Sequence, residues 1–336
     1  MKKTLIALAA VAASGAAMAQ SSVTLFGNID MGIRHVNPET GPSITSMSKN
    51  LISSSAIGFR GVEDLGGGMS AAFHLEGDLD PDTGTPGGLQ FRRRSTVSLI
   101  GGFGELRLGR DYTPTFTVHT KYDPFGTNGL GSSINMFNSA GVFGAVSTSG
   151  VRSDNGIGYL AKFGSFDVAY MYAPRESATN NNDYHGIRAG YNAGPLSVDV
   201  AAAQEVGSAA TVGLHNPSRV NFGVAYDFGF IKPMFQYTTA KLEFAGGEIK
   251  ANNVLVGLTA PVGPGLLRFS YVRTNVEDVG FFDESGKQIA LGYTYPLSKR
   301  TSFNANIARI STNAAFTAET GIGEQTGYEI GIRHTF

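Results

Sequence analysis

The sequence predicts an all-β fold, a 16-stranded antiparallel transmembrane β-barrel of the up-and-down type. Short segments of alternating apolar and polar residues recur along the chain, and their connections are in turn tight, glycine-rich turns and long polar stretches. Transmembrane barrels combine short turns at one membrane face with long loops at the other, and their strand number is even. The composition, with 45 Gly, 13 Tyr and 22 Phe in 336 residues, agrees with many turns and many aromatic side chains.

The alternation is clear in the segment from Ser22 to Arg34. Successive side chains of a strand point to opposite faces of the sheet, so each parity of residue numbers predicts one face. The last segment, from Gly327 to Phe336, alternates in the same way and ends on an aromatic residue, as aromatic girdles require. In the first segment the apolar parity holds Val23, Leu25, Ile29, Met31 and Ile33, and the polar parity holds Thr24, Asn28, Asp30 and Arg34.

The connections set the size of the barrel. Counting hairpins gives about 16 strands, a size class that leaves an aqueous lumen. A soluble β-sandwich would also alternate, but it would not explain two classes of connection. The tight connections are Gly66–Gly68, Gly101–Gly104, Phe163–Ser165, Ala193–Pro195, Asp227–Gly229 and Gly263–Gly265. The long ones are Asn37–Ser55, Asp78–Gln90, Thr113–Gly150, Glu176–Tyr184, Gly207–Pro217, Val276–Gly286 and Thr312–Gln325.

The N-terminus predicts export. Lys2 and Lys3 precede an apolar run, and Ala17-Met18-Ala19 supplies the small residues of a signal-peptidase site. We therefore expect residues 1–19 to be a cleaved secretory signal peptide and residues 20–336 to form the barrel. The apolar run is too short for a membrane-spanning helix.

Composition excludes several classes of function. A formal net charge of −1 gives no basic footprint for nucleic acid. The chain has no cysteine, and its six histidines are scattered without metal-ligand spacing, so no metal or cofactor is predicted. A barrel enzyme is the competing class, but no nucleophile, base and orienting group can be assembled from the spacing. A small structural or adhesion barrel would have about half as many strands.

Six motifs are spread from one end of the predicted barrel to the other. They are Ser22–Gly27, Gly58–Gly68, Phe103–Pro114, Tyr122–Gly126, Tyr293–Thr301 and Gly331–Phe336. Together, in this order, they resemble the motifs of the general trimeric porins of Gram-negative bacteria, specifically the β-proteobacterial type. The resemblance implies a homotrimer of 16-stranded barrels in the outer membrane. It also implies that the third extracellular loop, here Thr113–Gly150, folds inward and narrows the pore, and that arginines on the barrel wall face acidic groups on this loop.

Strand parity then selects the arginines that should face the lumen. Ile57 and Phe59 share the lipid-facing parity, which places Arg60 inward. The same rule applied to the neighbouring apolar residues predicts a wall cluster, because charges on the lipid face are costly. The cluster comprises Arg60, Arg92, Arg94 and Arg152. Arg107 is also predicted inward, near the periplasmic turn, whereas Arg110 has the opposite parity and is expected to anchor the base of the loop.

The loop offers two acidic groups to this cluster, Asp111 at its foot and Asp123, with Lys121 as a counter-charge. Inward arginines outnumber these acids, so the sequence predicts mild anion selectivity. One departure from the family pattern is Ala56, where members often carry arginine, and the motif around Arg92–Arg94 also differs. The wall charge is therefore rearranged relative to the family.

The predicted function is a water-filled channel for passive diffusion of ions and small hydrophilic solutes across the outer membrane. A substrate-selective channel for anions such as phosphate or carboxylates is the alternative within the same class. The expected partners are two further copies of the chain, outer-membrane lipid with lipopolysaccharide, and the permeating solutes.

Overall fold

A computed structural model describes residues 22–84, 89–137, 150–175, 183–206, 208–209, 214–244, 247–278 and 284–336. The predicted signal peptide, residues 1–19, lies outside these ranges. Within these ranges eighteen strands form one antiparallel sheet. They are β1 (Ser22–Pro38), β2 (Ile44–Ser48), β3 (Ala56–Gly66), β4 (Met69–Asp78), β5 (Arg94–Gly101), β6 (Gly104–Tyr112), β7 (Arg152–Phe163), β8 (Phe166–Ala173), β9 (Asp183–Ala193), β10 (Leu196–Val206), β11 (Ser208–Ala209), β12 (Leu214–Tyr226), β13 (Lys232–Phe244), β14 (Gly247–Val262), β15 (Gly265–Asp278), β16 (Glu284–Pro296), β17 (Thr301–Thr312) and β18 (Gln325–Thr335).

The sheet closes on itself because the first and last long strands pair. In β1, Asn28 lies opposite Thr335 of β18, and the two strands stay in register up to Pro38 and Gln325. On its other edge β1 pairs with β3 and then with the short β2. Apart from β2 and the two-residue β11, the strands are the sixteen of a closed barrel, which confirms the predicted fold class. No helix in the described part of the chain is long and apolar enough to cross a membrane.

The two faces of the wall have the predicted character. Outward side chains such as Val23, Ile33 and Ile330 are exposed on the barrel surface. Inward ones such as Asp30 and Glu329 are buried and polar. A barrel in lipid requires this arrangement, in which apolar side chains face hydrocarbon and polar ones face the interior.

A bulge in β7 lies opposite the start of the long loop. The pairing of β6 with β7 shifts register between Gly109 and Asp111, because Asp154 and Asn155 of β7 together oppose Arg110 of β6. Asn155 has φ of 56°, and Gly109 on the facing strand has φ of 117°, which glycine tolerates because it has no Cβ. The alternation along β6 is unbroken, so Arg107 and Asp111 both point inward, whereas Arg110 points outward to Asp154.

The described part of the third long loop, residues 113–137, lies inside the barrel and contains two helices. Helix α1 (Pro114–Lys121) begins at Thr113, whose hydroxyl accepts the Phe116 N–H, and has proline at its first position. It contacts β8, β9, β10 and β12, and helix α2 (Ile134–Phe137) contacts β15 and β16. The inward fold of this loop is therefore confirmed, and residues 138–149 lie outside the described residues.

Inward-facing glycines make room for the loop against the wall. A Cβ on Gly223 would lie 2.1 Å from the ring of Tyr122, and one on Gly257 would lie 2.5 Å from Pro124. Gly292 and Gly327 similarly accommodate Phe125 and Leu130. The loop thus runs along β12, β14, β16 and β18 in close contact with the wall.

A second segment also turns inward, although the sequence predicted only an extracellular loop there. Asp30 Oδ2 accepts the N–H groups of Ile52 (2.8 Å) and Ser53 (2.9 Å), and Leu51 is fully buried. This segment touches the third loop, because Ser54 Oγ donates to Asn128 Oδ1 at 3.0 Å. A third helix, α3 (Ala314–Thr320), lies in the last long loop and buries Phe316.

Candidate functional site

The wall that the loop leaves uncovered carries two of the predicted arginines side by side. Arg60 of β3 and Arg94 of β5 line one cavity. The Arg60 guanidinium lies 5.1 Å from the centre of the Phe26 ring and has no carboxylate within 4 Å among the described residues. The other polar side chains of this cavity are Thr24, His74, Thr96, Ser98 and Glu105.

Arg94 also belongs to a row of alternating charges that continues along β6. Its Nε lies 3.4 Å from Asp111, whose carboxylate accepts a bond of 2.7 Å from Arg107. Arg107 in turn donates to Glu105 at 2.8 Å. Asp111 is buried and contacts two arginines at once, but it is a residue of β6 and therefore belongs to the wall rather than to the loop.

Two further arginines converge on Tyr112 at the foot of the loop. Arg152 donates to the Tyr112 hydroxyl at 2.8 Å and its guanidinium lies 4.3 Å from the centre of the ring. Arg93 donates to the same hydroxyl at 3.0 Å and forms ion pairs with Glu76 and Asp78. One phenolic oxygen therefore holds two cations at the point where the wall meets the loop.

Arg92 is not brought to this cluster. Strand β5 begins only at Arg94, so the parity of the strand does not extend back to residue 92. The Arg92 side chain is exposed, its carbonyl accepts a bond from outward-facing Arg110, and Arg93 lies with Arg152 instead. Sequence reasoning missed Arg93 for this reason.

On the loop, Lys121 is paired with the wall. Its ammonium donates to Asp199 at 2.5 Å and to Asn192 at 2.9 Å. Asp199 is fully buried and also accepts bonds from Tyr122 and Arg188, each at 2.5 Å. This carboxylate fixes the end of helix α1. It lies between the outward-facing Val198 and Val200, so the parity rule could have found it.

Asp123 is enclosed within the loop and makes no contact with a wall arginine among the described residues. Its carboxylate accepts the Phe125 N–H at 2.8 Å and both the N–H and the hydroxyl of Ser133, at 2.9 and 2.7 Å. Burial raises the pKa of this carboxyl group. The same hydroxyl lies 2.9 Å from Nε2 of His119, and burial lowers the pKa of that imidazole to about 3.

The buried His119 predicts that acid weakens the folded loop. With a pKa of about 3 in place of 6.5, the folded loop binds fewer protons than an opened one between these values, so its stability falls as pH decreases through that window. At pH 5 the cost is about 2 kcal/mol. We expect hydrogen exchange of residues 114–121, corrected for its intrinsic pH dependence, to show more opening at pH 5 than at pH 7.

His119→Gln is the control, because it keeps a hydrogen-bonding group without a titrating ring. Asp123 is present in both proteins, so its titration contributes equally to both and does not affect the difference between them. Equal pH dependence of loop opening in the two proteins would contradict the assignment to His119.

The tip of the loop is held by Glu329 of β18. Its Oε1 accepts the Leu130 N–H at 3.0 Å and the Asn306 amide at 2.9 Å, and its Oε2 accepts from Arg34 at 2.8 Å. The side chain is almost fully buried, so water does not replace these bonds easily. Glu329 therefore attaches the loop to the wall.

Glu329→Gln should weaken this attachment of the loop to the wall. Loss of charge-assisted bonds of this kind costs about 1.5–3 kcal/mol, and the amide NH₂ would face Arg34. We expect larger open-channel current noise and more frequent brief closures in single-channel records. Glu105→Gln removes an equal charge from the lumen without a described contact to the loop tip. If the open-channel current noise of Glu105→Gln matched that of Glu329→Gln, a specific role of Glu329 in holding the loop would be excluded.

Two more inward arginines lie towards the ends of β15 and β18 that carry the short turns. Arg268 donates to Thr294 at 2.5 Å, and Arg333 lies opposite Asp30 in the β1–β18 pair. Like Arg60, neither has a carboxylate within 4 Å among the described side chains. No group of three or more possible metal ligands occurs in the described part of the chain.

The comparisons with known proteins agree with this geometry. A family model for Gram-negative porins matches residues 4–315. The chain is 41% identical to outer membrane porin protein 32 of Delftia acidovorans over 360 residues, which covers 100% of both chains. Among solved structures, the anion-selective porin from Comamonas acidovorans matches with a TM-score of 0.86 and 35% identity, covering 94% of this chain and 100% of that one.

A more distant structure, the trimer form of OmpT of Vibrio cholerae, shares the fold with a TM-score of 0.73 at 17% identity, covering 94% of this chain and 99% of that one. The full-length relatives are outer-membrane channel proteins rather than enzymes. The chain therefore belongs to the Gram-negative porin family and is a β-barrel protein of the outer membrane.

Proposed function

We propose that this porin is a general diffusion channel for ions and small hydrophilic solutes with a mild preference for anions. The preference arises where the loop leaves the wall uncovered, next to Arg60 and Arg94. Charged side chains around a narrow aqueous gap bias which ions enter it. The Comamonas porin, described as anion-selective, supports the sign of the preference.

The observation that carries the proposal is the uneven pairing of the inward charges. Arg94, Arg107 and Arg188 each lie within 4 Å of a carboxylate and are largely neutralised. Buried acids such as Asp123 and Glu329 are bound to the loop and the wall. By contrast Arg60 and Arg268 have no ion pair among the described residues, and Arg333 lies opposite Asp30 without an ion pair within 4 Å, which supports a net positive field in the lumen.

The reversal potential across a salt gradient tests the sign. With purified protein in a planar bilayer and a roughly tenfold KCl gradient, we expect a potential that reports chloride as the more permeant ion. A potential of the opposite sign would overturn the anion preference. Absence of any conductance from folded protein would overturn the channel itself.

The same pairing favours a general channel over a substrate-specific one. A dedicated phosphate or carboxylate site needs arginines free to form bidentate bonds with the ligand. The arginines that share one cavity near helix α1, Arg94, Arg107 and Arg188, are engaged with protein carboxylates instead. Millimolar phosphate should therefore leave the chloride current nearly unchanged, and a clear block would favour the substrate-specific alternative.

The assembly is a homotrimer whose outer faces contact membrane lipid and lipopolysaccharide. The exposed apolar residues around the barrel and the trimer form of OmpT support this arrangement. Native mass spectrometry in detergent should give three copies of the chain. The mature chain starts at Gln20 after removal of residues 1–19, which N-terminal sequencing of protein from outer membranes would test.

A further inference from the structure

A basic patch interrupts the apolar outer surface of the barrel on three consecutive strands. Strands β16 and β17 expose Ile289, Leu291 and Ile307 towards lipid, and β15 has Phe269 and Tyr271 on the same face. Two residues closer to the long loops, each of these strands carries a cation instead of an apolar residue on the same outward face. The patch consists of Arg273 of β15, Lys287 of β16 and Arg309 of β17.

The patch lies near the upper edge of the apolar band. Arg273 is eight residues beyond Gly265, the first residue of β15 after a short turn. At about 3.3 Å per residue and a strand tilt of about 40°, this places it roughly 20 Å along the barrel axis. Transmembrane barrels have an apolar band about 25 Å tall, and the next outward positions on these strands, Asn275 and Ser311 among them, are polar, so the cations lie at the upper edge of that band.

The register brings the cations together rather than separating them. Arg273 lies directly opposite Lys287. Arg309 lies opposite Ile289, which places it diagonal to Lys287. Like charges directly opposed on neighbouring strands are destabilising, and here they also border the lipid phase. Such an arrangement is favourable when an anion lies between the charges.

Carboxylates of the protein do little to neutralise these cations. The Arg273 Nε donates to the Asn275 side chain at 3.1 Å, an uncharged acceptor. Arg309 is 3.7 Å from Glu324, and Glu277, the outward carboxylate further along β15, lies 3.9 Å from Lys250 of β14. Lys287 has no ion pair among the side chains that the structure describes. The opposed pair of Arg273 and Lys287 is therefore the centre of the patch, with Arg309 at its edge.

We propose that Arg273 and Lys287 bind a phosphate group of the lipid A part of lipopolysaccharide. A ligand at this height must be anionic at one end and apolar at the other, because Tyr271 and Ile289 lie directly below the cations. Arginine and lysine are the residues that bind phosphate oxygens. This site gives a location to the lipopolysaccharide contact put forward above, on which it rests.

The test compares lipid A with and without phosphate on three forms of the porin. Native mass spectrometry of the purified trimer would count bound lipid A for wild type, for Arg273→Gln/Lys287→Gln, and for Lys299→Gln. Lys299 is an exposed cation on the opposite, short-turn rim and is the matched control for charge. We expect the double variant to bind phosphorylated lipid A at least tenfold more weakly, with the control at the wild-type affinity.

Each comparison tests a different part of the proposal. Dephosphorylated lipid A should bind all three proteins equally weakly, and tight binding of it to wild type would overturn a phosphate site. Equal binding of phosphorylated lipid A to wild type and the double variant would overturn this location but keep the general lipopolysaccharide contact. No binding to wild type would overturn both. Dissociation of the double variant into monomers would assign the patch to the subunit interface instead.

Discussion

Exchange of Arg60 and Arg94 for glutamine should convert the anion preference proposed for this porin into a cation preference. The double variant removes the two cations on the uncovered wall and leaves Glu105 and Asp111 with Arg107 alone. A unit charge about 7 Å from a permeating ion contributes about 0.6 kcal/mol in water and about 2 kcal/mol at an effective dielectric constant of 20. The ratio of chloride to potassium permeability should therefore fall at least roughly tenfold.

Arg60→Lys/Arg94→Lys is the matched control, because it keeps both charges and changes only their shape. Its reversal potential should stay on the anion side. Arg60→Gln alone is the safer variant for folding, since Arg60 forms no ion pair among the described residues, and it should show part of the shift. A reversal potential unchanged in the double variant would mean that the selectivity arises elsewhere in the lumen.

The barrel itself could be predicted because its pattern is local. Each strand must divide its side chains between lipid and water, so residues such as Val23 and Asp30 report their own faces without knowledge of the rest. The same rule placed Arg60 and Arg94 inward. It failed at Arg92, because alternation holds only inside a strand and β5 begins two residues later.

The interior of the barrel was harder to predict because it is built from loops. Asp123 looked like a solvated pore charge, yet the loop folds around it and uses it to hold Ser133. Helix α1 contains Thr115, Thr117 and Val118, which have low helix propensity, and its stability comes from burial against the wall. Only the cap at Thr113 followed by proline signalled it. The inward turn at Leu51 had no comparable signal.

The glycines under the third loop are the part of the interior whose effect on the pore should be largest. Tyr122 and Pro124 lie directly against Gly223 and Gly257. The loop cannot slide away along the wall, because Asp199 holds Tyr122 and Glu329 holds Leu130. A methyl group at either glycine must therefore push the loop away from the wall and into the lumen.

Gly223→Ala/Gly257→Ala should consequently narrow the channel. The added Cβ atoms would lie 2.1 and 2.5 Å from loop atoms, so the loop must move by about 1 Å or more at a typical overpacking cost of 1–3 kcal/mol per site. We expect the single-channel conductance to fall to roughly half while the reversal potential keeps its sign, since no charge is changed. Gly158→Ala is the control, because its nearest neighbour would be 3.6 Å away, an ordinary contact. Unchanged conductance in the double variant would show that the loop does not set the narrowest point, and a rise would show that its anchors yield before the wall contact does.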